Sequence, residues 1–200
     1  WSVSEDGIAN TDALKSRVTA KDMEDFASIL KDKYGYNAGS YTDYNGGTKN
    51  YKFLGRLDWN INNNHKVSVR YNLTQNSQDI ETNGTSTVGT KASSNRISKD
   101  AMAFRNNCYM MDDNVNSITG EINSRFGTNI QNRLLVTYSN IVSERSSNSS
   151  PFPHIDIWKD KNAFMSAGYE LFSWNNKVQN KTFNVQDNVT WTLGNHRIIG

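Results

Sequence analysis

The sequence predicts an all-β protein, an antiparallel meander of a transmembrane β-barrel with one short helix near its start. Three observations support this: segments of about ten residues alternate apolar and polar side chains, short and long connections alternate, and aromatic residues lie at both ends of the apolar faces. The 200 residues include 28 Asn, 21 Ser and 15 Thr. With 22 aromatic residues and only 2 Pro, the composition argues against disorder.

A helix is predicted over about 20–34, inside an N-terminal loop that occupies residues 1–49. Thr19 followed by Asp22 resembles a capping box, and Gly35 provides a stop. Between them an apolar stripe recurs at helical spacing, formed by Met23, Phe26, Ile29 and Leu30.

Beyond residue 49 the apolar period changes from 3.6 to 2, which is typical of strands with one apolar face. We expect strands at about 51–59, 66–74, 117–126, 132–143, 181–193 and 196–200. In the fourth strand, the alternating set Leu134, Val136, Tyr138 and Val142 is interrupted by the apolar residues Leu135 and Ile141 on the other face. The pattern therefore does not decide which face of this strand is apolar.

The connections suggest which ends of the strands face the cell exterior. Short connections follow the first, third and fifth strands, whereas residues 75–116 and 144–180 form long polar stretches. Outer-membrane barrels have short periplasmic turns and longer extracellular loops. We therefore expect residues 1–49, 75–116 and 144–180 to be extracellular.

Aromatic residues on the apolar faces predict two membrane interfaces. Trp59, Phe126 and Trp191 lie within a few residues of short turns, while Tyr51 and two other tyrosines, Tyr71 and Tyr138, lie nearer the long loops. At about 3.3 Å per residue and a tilt of about 40°, the stretch from Tyr51 to Trp59 spans roughly 20 Å of height, close to the apolar band of a barrel. Aromatics that fill a soluble core are the alternative.

The opposite faces are charged or amide-rich. In a barrel they line the lumen, and we single out Arg56, Arg70, Glu121 and Arg125 as lumen-facing; in a sandwich the same residues face solvent.

The sequence provides no sign of catalysis, so we expect no enzyme, no cofactor and no metal site. His65, His154 and His196 are far apart in sequence, and Cys108 has no nearby base. Asp112 and Asp113 followed by Asn114 allow a calcium ligand set, but the central Gly of such a loop is missing. A net charge of +2 without a basic cluster argues against nucleic-acid binding.

Four segments resemble the barrel of TonB-dependent outer-membrane receptors, and in particular the Oar-like group that carries a carboxypeptidase-like regulatory domain. They are KFLGRLDWNINNNHKVSVRYN (52–72), ITGEINSRFGTNIQNRLLVTYSN (118–140), SSPFPHIDI (149–157) and NVTWTLGNHRI (188–198). Residues 10–41 resemble the extracellular loop that precedes the first hairpin in that group.

The resemblance implies a large, 22-stranded barrel of a Gram-negative outer membrane that imports a scarce substrate. Its implied partners are membrane lipid, a plug domain of the same full-length chain, TonB acting through the N-terminal part, and a possible surface lipoprotein. With about six strands in 200 residues, the chain is expected to be an internal barrel segment.

If the chain is such a segment, aromatic residues of the long loops are candidates for ligand capture, with loop packing as the alternative role for each. They are Trp1, Tyr36, Tyr41, Tyr44, Phe152, Trp158, Phe164 and Trp174. The alternative function is a soluble or surface-anchored β-sandwich that binds carbohydrate or protein.

Overall fold

The computed structural model of the chain describes residues 1–42, 46–84 and 95–200, and within them lie eleven strands and one α-helix. In chain order they are β1 (Ser2–Ser4), β2 (Lys15–Thr19), α1 (Ala20–Tyr34), β3 (Thr48–Asn60), β4 (His65–Ile80), β5 (Met102–Ala103), β6 (Tyr109–Phe126), β7 (Ile130–Ser146), β8 (Ile155–Lys159), β9 (Asn162–Ala167), β10 (Lys177–Leu193) and β11 (His196–Ile199).

Six of the strands form one sheet in the order β11-β10-β7-β6-β4-β3. Each strand lies beside the next one of this sheet along the chain, so the sheet is a meander, and β10 pairs antiparallel with β11. Gly127 and Gly194 adopt positive φ angles of 60° and 56° in the tight connections that follow β6 and β10. The predicted all-β antiparallel meander with one helix is confirmed.

Several strands extend beyond the ends that the alternation predicts. β4 continues to Ile80 and β6 begins at Tyr109, so the stretch 75–116 is not all loop. Similarly, β7 continues to Ser146 and β10 begins at Lys177. The added ends are mostly polar on both faces, which hides the period-two pattern although the strands continue.

Side-chain contacts settle which face of β7 is apolar. The hydroxyls of Thr119 and Thr137 are hydrogen bonded at 3.2 Å, and Arg133 forms an ion pair with Glu121 at 2.9 Å. Because odd-numbered residues of β7 therefore share the polar face, Leu135 lies there too. The apolar face of β7 comprises Leu134, Val136, Tyr138 and Val142.

The chain divides into two compact units. The sheet unit comprises Lys49–Ser77, Asp112–Ser143 and Lys177–Gly200. None of its residues is buried, and the structure describes all of them. The sheet unit is thus a single layer without a core of its own, in contrast to a sandwich, in which two sheets bury a common core.

The loop unit comprises Trp1–Thr48, Gln78–Met111 and Glu144–Asn176, and it has a hydrophobic core. The stretches predicted as long loops supply two small sheets to it: β1 pairs with β2, and β5, β9 and β8 form a three-stranded sheet. These strands have two to six residues, too few for a reliable alternation signal. The buried core consists of Val18, Met23, Phe26, Leu30, Tyr36, Ala38, Met102, Phe104, Phe164, Met165 and Ala167.

Helix α1 packs Met23, Phe26 and Leu30 of its predicted apolar stripe into this core, whereas Ile29 is exposed. Thr19 is the N-cap, its hydroxyl accepts from the backbone N–H of Asp22, and the Asp22 carboxylate accepts from the backbone N–H of Thr19. Gly35 ends the helix in the left-handed conformation. No helix in the described ranges is long and apolar enough to cross a membrane.

Candidate functional site

The apolar face of the six-stranded sheet is exposed within the sheet unit. Trp59 is 66% exposed and Trp191 is 43% exposed, and Phe126 is also exposed. Each of the three lies on the apolar face within three residues of a tight connection. Leaving such large aromatic rings unburied in water would be unfavourable, so this face needs an apolar environment.

A second set of aromatic residues lies towards the other ends of the strands. The rings of Phe53 and Tyr71 contact each other, with centroids 6.3 Å apart. The Tyr71 hydroxyl donates a hydrogen bond to Asn116 Oδ1 at 2.9 Å. An apolar ring body with a bonded polar tip is the form that aromatic residues take at a membrane interface.

Polar side chains on the apolar face are paired with each other. The Asn132 amide donates to Asp187, the residue that interrupts the apolar alternation of β10, and the Gln179 amide donates to Asn140 Oδ1 at 2.8 Å. His65 Nδ1 lies 2.9 Å from Ser124 Oγ. Pairing of this kind lowers the cost of placing polar groups in hydrocarbon.

The polar face carries most of the charges of the sheet unit. Arg56 makes a two-point hydrogen bond to Asp58, both distances being 2.9 Å. Glu121 bonds to Arg133 and to Asn123 instead of to another predicted lumen residue. These pairs hold the charges in fixed positions above the sheet.

Near the tight connections, the sheet unit forms a polar cleft of about 550 Å³. Arg125 lines it together with Lys66 and Arg133, whereas Arg56, Arg70 and Glu121 do not. The four predicted lumen residues therefore do not converge on one site.

The predicted ligand-capture aromatics that the structure describes fall into three groups by their exposure. Trp1 and Trp174 are exposed, and Tyr41, Phe152 and Trp158 are half-buried. Tyr36 and Phe164 are buried, with Tyr36 only 3% exposed. Tyr44 lies outside the described residues.

The structure favours the packing role for Tyr36 and Phe164. Tyr36 stacks on Phe152 at 4.0 Å, its hydroxyl lies 2.6 Å from Ser149 Oγ, and burial raises its pKa. Phe164 is covered by two cations, Arg17 at 5.5 Å and Lys159 at 4.8 Å from the ring centroid. Neither ring is open to a ligand at the surface.

A buried polar network in the loop unit escaped the sequence analysis. Asp156 accepts hydrogen bonds from Arg96 (two, each 2.8 Å), from Ser166 Oγ at 2.6 Å and from His154 Nε2 at 3.2 Å. Burial alone would raise the pKa of Asp156, but these hydrogen bonds and the Arg96 charge outweigh it and hold that pKa well below its usual range.

The buried Asn107 determines which nitrogen of His154 accepts a hydrogen bond. The hydroxyl of Thr82 donates to Asn107 Oδ1, so Asn107 Nδ2 faces His154 Nδ1 at 2.8 Å and the carbonyl oxygen of Gly168 at 3.1 Å. With this amide orientation His154 Nδ1 accepts from Asn107 and Nε2 donates to Asp156, so the 3.3 Å approach of Nδ1 to the carbonyl oxygen of Tyr169 is not a hydrogen bond in this tautomer. One signal in the sequence could have revealed part of the network, since His154 and Asp156 are two residues apart at the start of a strand.

The network does not form a nucleophilic site. The Ser166 hydroxyl donates to Asp156 and not to the imidazole, so the histidine is not placed to accept its proton. Burial raises the pKa of the Cys108 thiol, which disfavours the thiolate. No group of three or more His, Cys, Asp or Glu side chains suited to a metal occurs in the described part of the chain.

Comparison with protein families decides the kind of protein to which this sheet belongs. The model of a family described as "Outer membrane beta barrel domain" matches residues 15–199. The chain belongs to this outer membrane β-barrel domain family. No curated protein and no solved structure matched the chain.

Family membership assigns an environment to the two faces of the sheet. As a member of an outer membrane β-barrel domain family, the chain lies in the outer membrane of a Gram-negative bacterium. In such barrels the apolar face contacts lipid and the polar face lines the interior. The alternative of a soluble sandwich is wrong, because the matched family forms a barrel and the sheet unit has no second layer.

Proposed function

We propose that the chain is a segment of a TonB-dependent active transporter that captures a scarce substrate and imports it. One observation carries this proposal: long connections between barrel strands fold into a loop unit with its own core and present aromatic side chains. A passive pore does not need such a unit, whereas a receptor needs an ordered capture surface. The resemblance of segments such as 52–72 to TonB-dependent receptors supports the same function.

In this proposal the polar face of the sheet contacts a plug domain or the passing substrate. Arg56, Arg70, Glu121 and Arg125 are the residues proposed for this role. TonB would act on another part of the full-length chain, and a surface lipoprotein is a further possible partner. We propose no bond-making chemistry, which agrees with the arrangement around Ser166 and Cys108.

The first experiment concerns the full-length protein that contains this chain. Purified in detergent, it is tested for binding of the isolated C-terminal domain of TonB by surface plasmon resonance. A second arm compares its migration on a gel with and without boiling, which reports a closed barrel. Saturable TonB binding together with heat-dependent migration is expected.

A barrel that migrates in a heat-dependent way but does not bind TonB would overturn active transport while leaving the outer-membrane barrel intact. A matched control is the same protein without the segment N-terminal to its barrel. This control should keep heat-dependent migration and lose TonB binding.

A further inference from the structure

The polar cleft of the sheet unit collects basic side chains from three neighbouring strands. Lys66 of β4, Arg125 of β6 and Arg133 of β7 all line it, and these strands lie side by side in the sheet. Among the residues that the structure describes, no Asp or Glu lines the cleft. The cleft therefore has a positive electrostatic potential, which favours a negatively charged ligand.

Two of these three cations are open to a ligand. Arg133 forms an ion pair with Glu121 at 2.9 Å. Lys66 and Arg125 are exposed, and within the described part of the chain neither forms an ion pair. Asp58, whose charge interacts with that of Lys66, is already bonded through both carboxylate oxygens to an arginine of its own strand. Lys66 and Arg125 can therefore pair with carboxylates from outside the sheet unit.

The connection between β3 and β4 gives the cleft an ordered wall. Asn62 Oδ1 accepts hydrogen bonds from the backbone N–H groups of Asn64 at 2.8 Å and His65 at 2.9 Å. The carbonyl oxygen of Asn64 accepts from the backbone N–H of Arg125 at 2.8 Å, which ties this wall to β6. A ligand would meet a surface that is already in place, which reduces the entropy lost on binding.

The neutral side chains of the cleft favour a peptide over a small anion. Eight of the fourteen lining residues are Asn or Gln. An amide side chain offers both donors and an acceptor, so it matches the N–H and C=O groups of a peptide backbone. An inorganic anion only accepts hydrogen bonds and would leave the amide oxygens unused. The volume of about 550 Å³ lies within the usual range of ligand sites.

The position of the cleft indicates the side from which such a peptide would come. The cleft lies beside the short connection 61–64, and short connections of outer-membrane barrels face the periplasm. The charge of the whole sheet unit agrees with an acidic partner, since it contains 10 Lys and Arg against 5 Asp and Glu. A polypeptide that enters the barrel interior from the periplasm would meet this cleft.

We propose that the cleft binds an acidic peptide segment that reaches the barrel interior from the periplasmic side. The carboxylates of this segment would pair with Lys66 and Arg125, and its backbone would bond to the amide side chains. This inference rests on the proposed function and names the kind of partner that the periplasmic end of the polar face takes.

The test is zero-length crosslinking of the full-length protein in isolated outer membranes. A water-soluble carbodiimide joins a lysine amine to a carboxylate that is in contact with it, and mass spectrometry identifies the acidic residue joined to Lys66. We expect an Asp or Glu of a segment outside residues 1–200. The proposal would be overturned if no product formed or if Lys66 were joined only to acids within residues 1–200, such as Asp58.

Variants identify the groups responsible. Arg125→Gln should slow formation of the Lys66 product about fivefold, because one of two ion pairs is lost. Lys52→Gln removes an exposed lysine that does not line the cleft, so it is the matched control and should leave the rate unchanged. Heat-dependent migration of each variant confirms that the barrel has folded. A folded Arg125→Gln protein with the wild-type rate would overturn the proposal.

Salt gives a second measurement on the wild type. Exposed ion pairs are strongly screened in about 0.5 M NaCl, so the Lys66 product should form more slowly there than in dilute buffer. Binding that depends only on shape or on neutral hydrogen bonds would not respond in this way. A rate that is independent of salt would therefore overturn the pairing of carboxylates with Lys66 and Arg125.

Two outcomes separate this inference from the proposed function. If the Lys66 product forms as expected but the full-length protein does not bind TonB, the acidic partner stands and active transport is wrong. If the protein binds TonB and no acidic segment is joined to Lys66, active transport stands and the role of the cleft is wrong.

Discussion

Arg96 and Asp156 form a two-point ion pair inside the loop unit, with Nε–Oδ1 and Nη2–Oδ2 distances of 2.8 Å each. The Arg96 side chain is fully buried, and it also donates to the carbonyl oxygen of Asn83. The two residues are 60 positions apart in sequence. The pair therefore links two of the three chain segments that build the loop unit.

Breaking this pair should unfold the loop unit more readily. Asp156→Asn leaves the buried guanidinium without its counter-charge, and a broken buried pair costs about 3–5 kcal/mol. In outer-membrane vesicles, we expect trypsin to cleave the Asp156→Asn variant within residues 144–176 faster than it cleaves the wild type. Lys21→Ala, which removes the exposed partner of Asp25, is the matched control and should cleave at the wild-type rate. Equal cleavage of both variants would contradict the prediction.

The stability of the loop unit should fall in acid because of the same aspartate. The folded pKa of Asp156 lies below its unfolded value of about 3.9, so its stabilisation is present above that value. As the pH falls from about 5 through the unfolded value towards the folded pKa, this stabilisation is lost. Thermal unfolding is followed by near-UV circular dichroism at several pH values. Between about pH 5 and pH 3, a range that brackets the unfolded pKa of about 3.9, the melting temperature should fall more steeply for the wild type than for Asp156→Asn.

The aromatic residues that we predict at the membrane interface should matter for assembly. Trp59→Ser and Trp191→Ser each remove a large ring from the lipid-facing side, next to a tight connection, and should reduce the heat-modifiable fraction in the outer membrane. Trp174→Ser, which removes an exposed ring of the loop unit, should leave that fraction unchanged. If the loop variant reduced assembly as much as the two interface variants, the assigned lipid contact would be wrong.

Gly168 should not tolerate a side chain. Its φ angle is 100°, and an added Cβ would collide with the backbone carbonyl of Pro153. Gly168→Ala therefore forces β8 and β9 to move and should destabilise the loop unit by more than about 1 kcal/mol. Gly120→Ala is the control, since nothing lies within 4 Å of a Cβ built there. A Gly168→Ala protein with wild-type resistance to trypsin would refute this reasoning.

The regular part of the fold was accessible from sequence because its signals are local. Apolar alternation revealed the strands, and Thr19 with Asp22 and Gly35 revealed the helix and its ends. The strand ends around 75–80 and 109–116 were missed, since neither stretch alternates apolar and polar residues. Identifying the apolar face of β7 also required the contacts that its side chains make with Thr119 and Glu121 of β6.

The candidate site was only partly accessible in this way. The sequence identifies Trp174 and Phe152 as candidate aromatics together with Tyr36 and Phe164. Residue type alone does not show which aromatic rings are buried, as those of Tyr36 and Phe164 are. Of the two side-chain partners of His154, Asp156 lies only two residues away in sequence, whereas Asn107 meets it only through folding.

The sequence by itself determined the membrane-facing sheet, because a strand that separates lipid from a polar interior must alternate its side chains at every second residue. Only the tertiary structure decided that the intervening stretches form a cored unit containing the Arg96–Asp156 pair. That contact joins residues 60 positions apart, and no local period records which distant side chains will share a core.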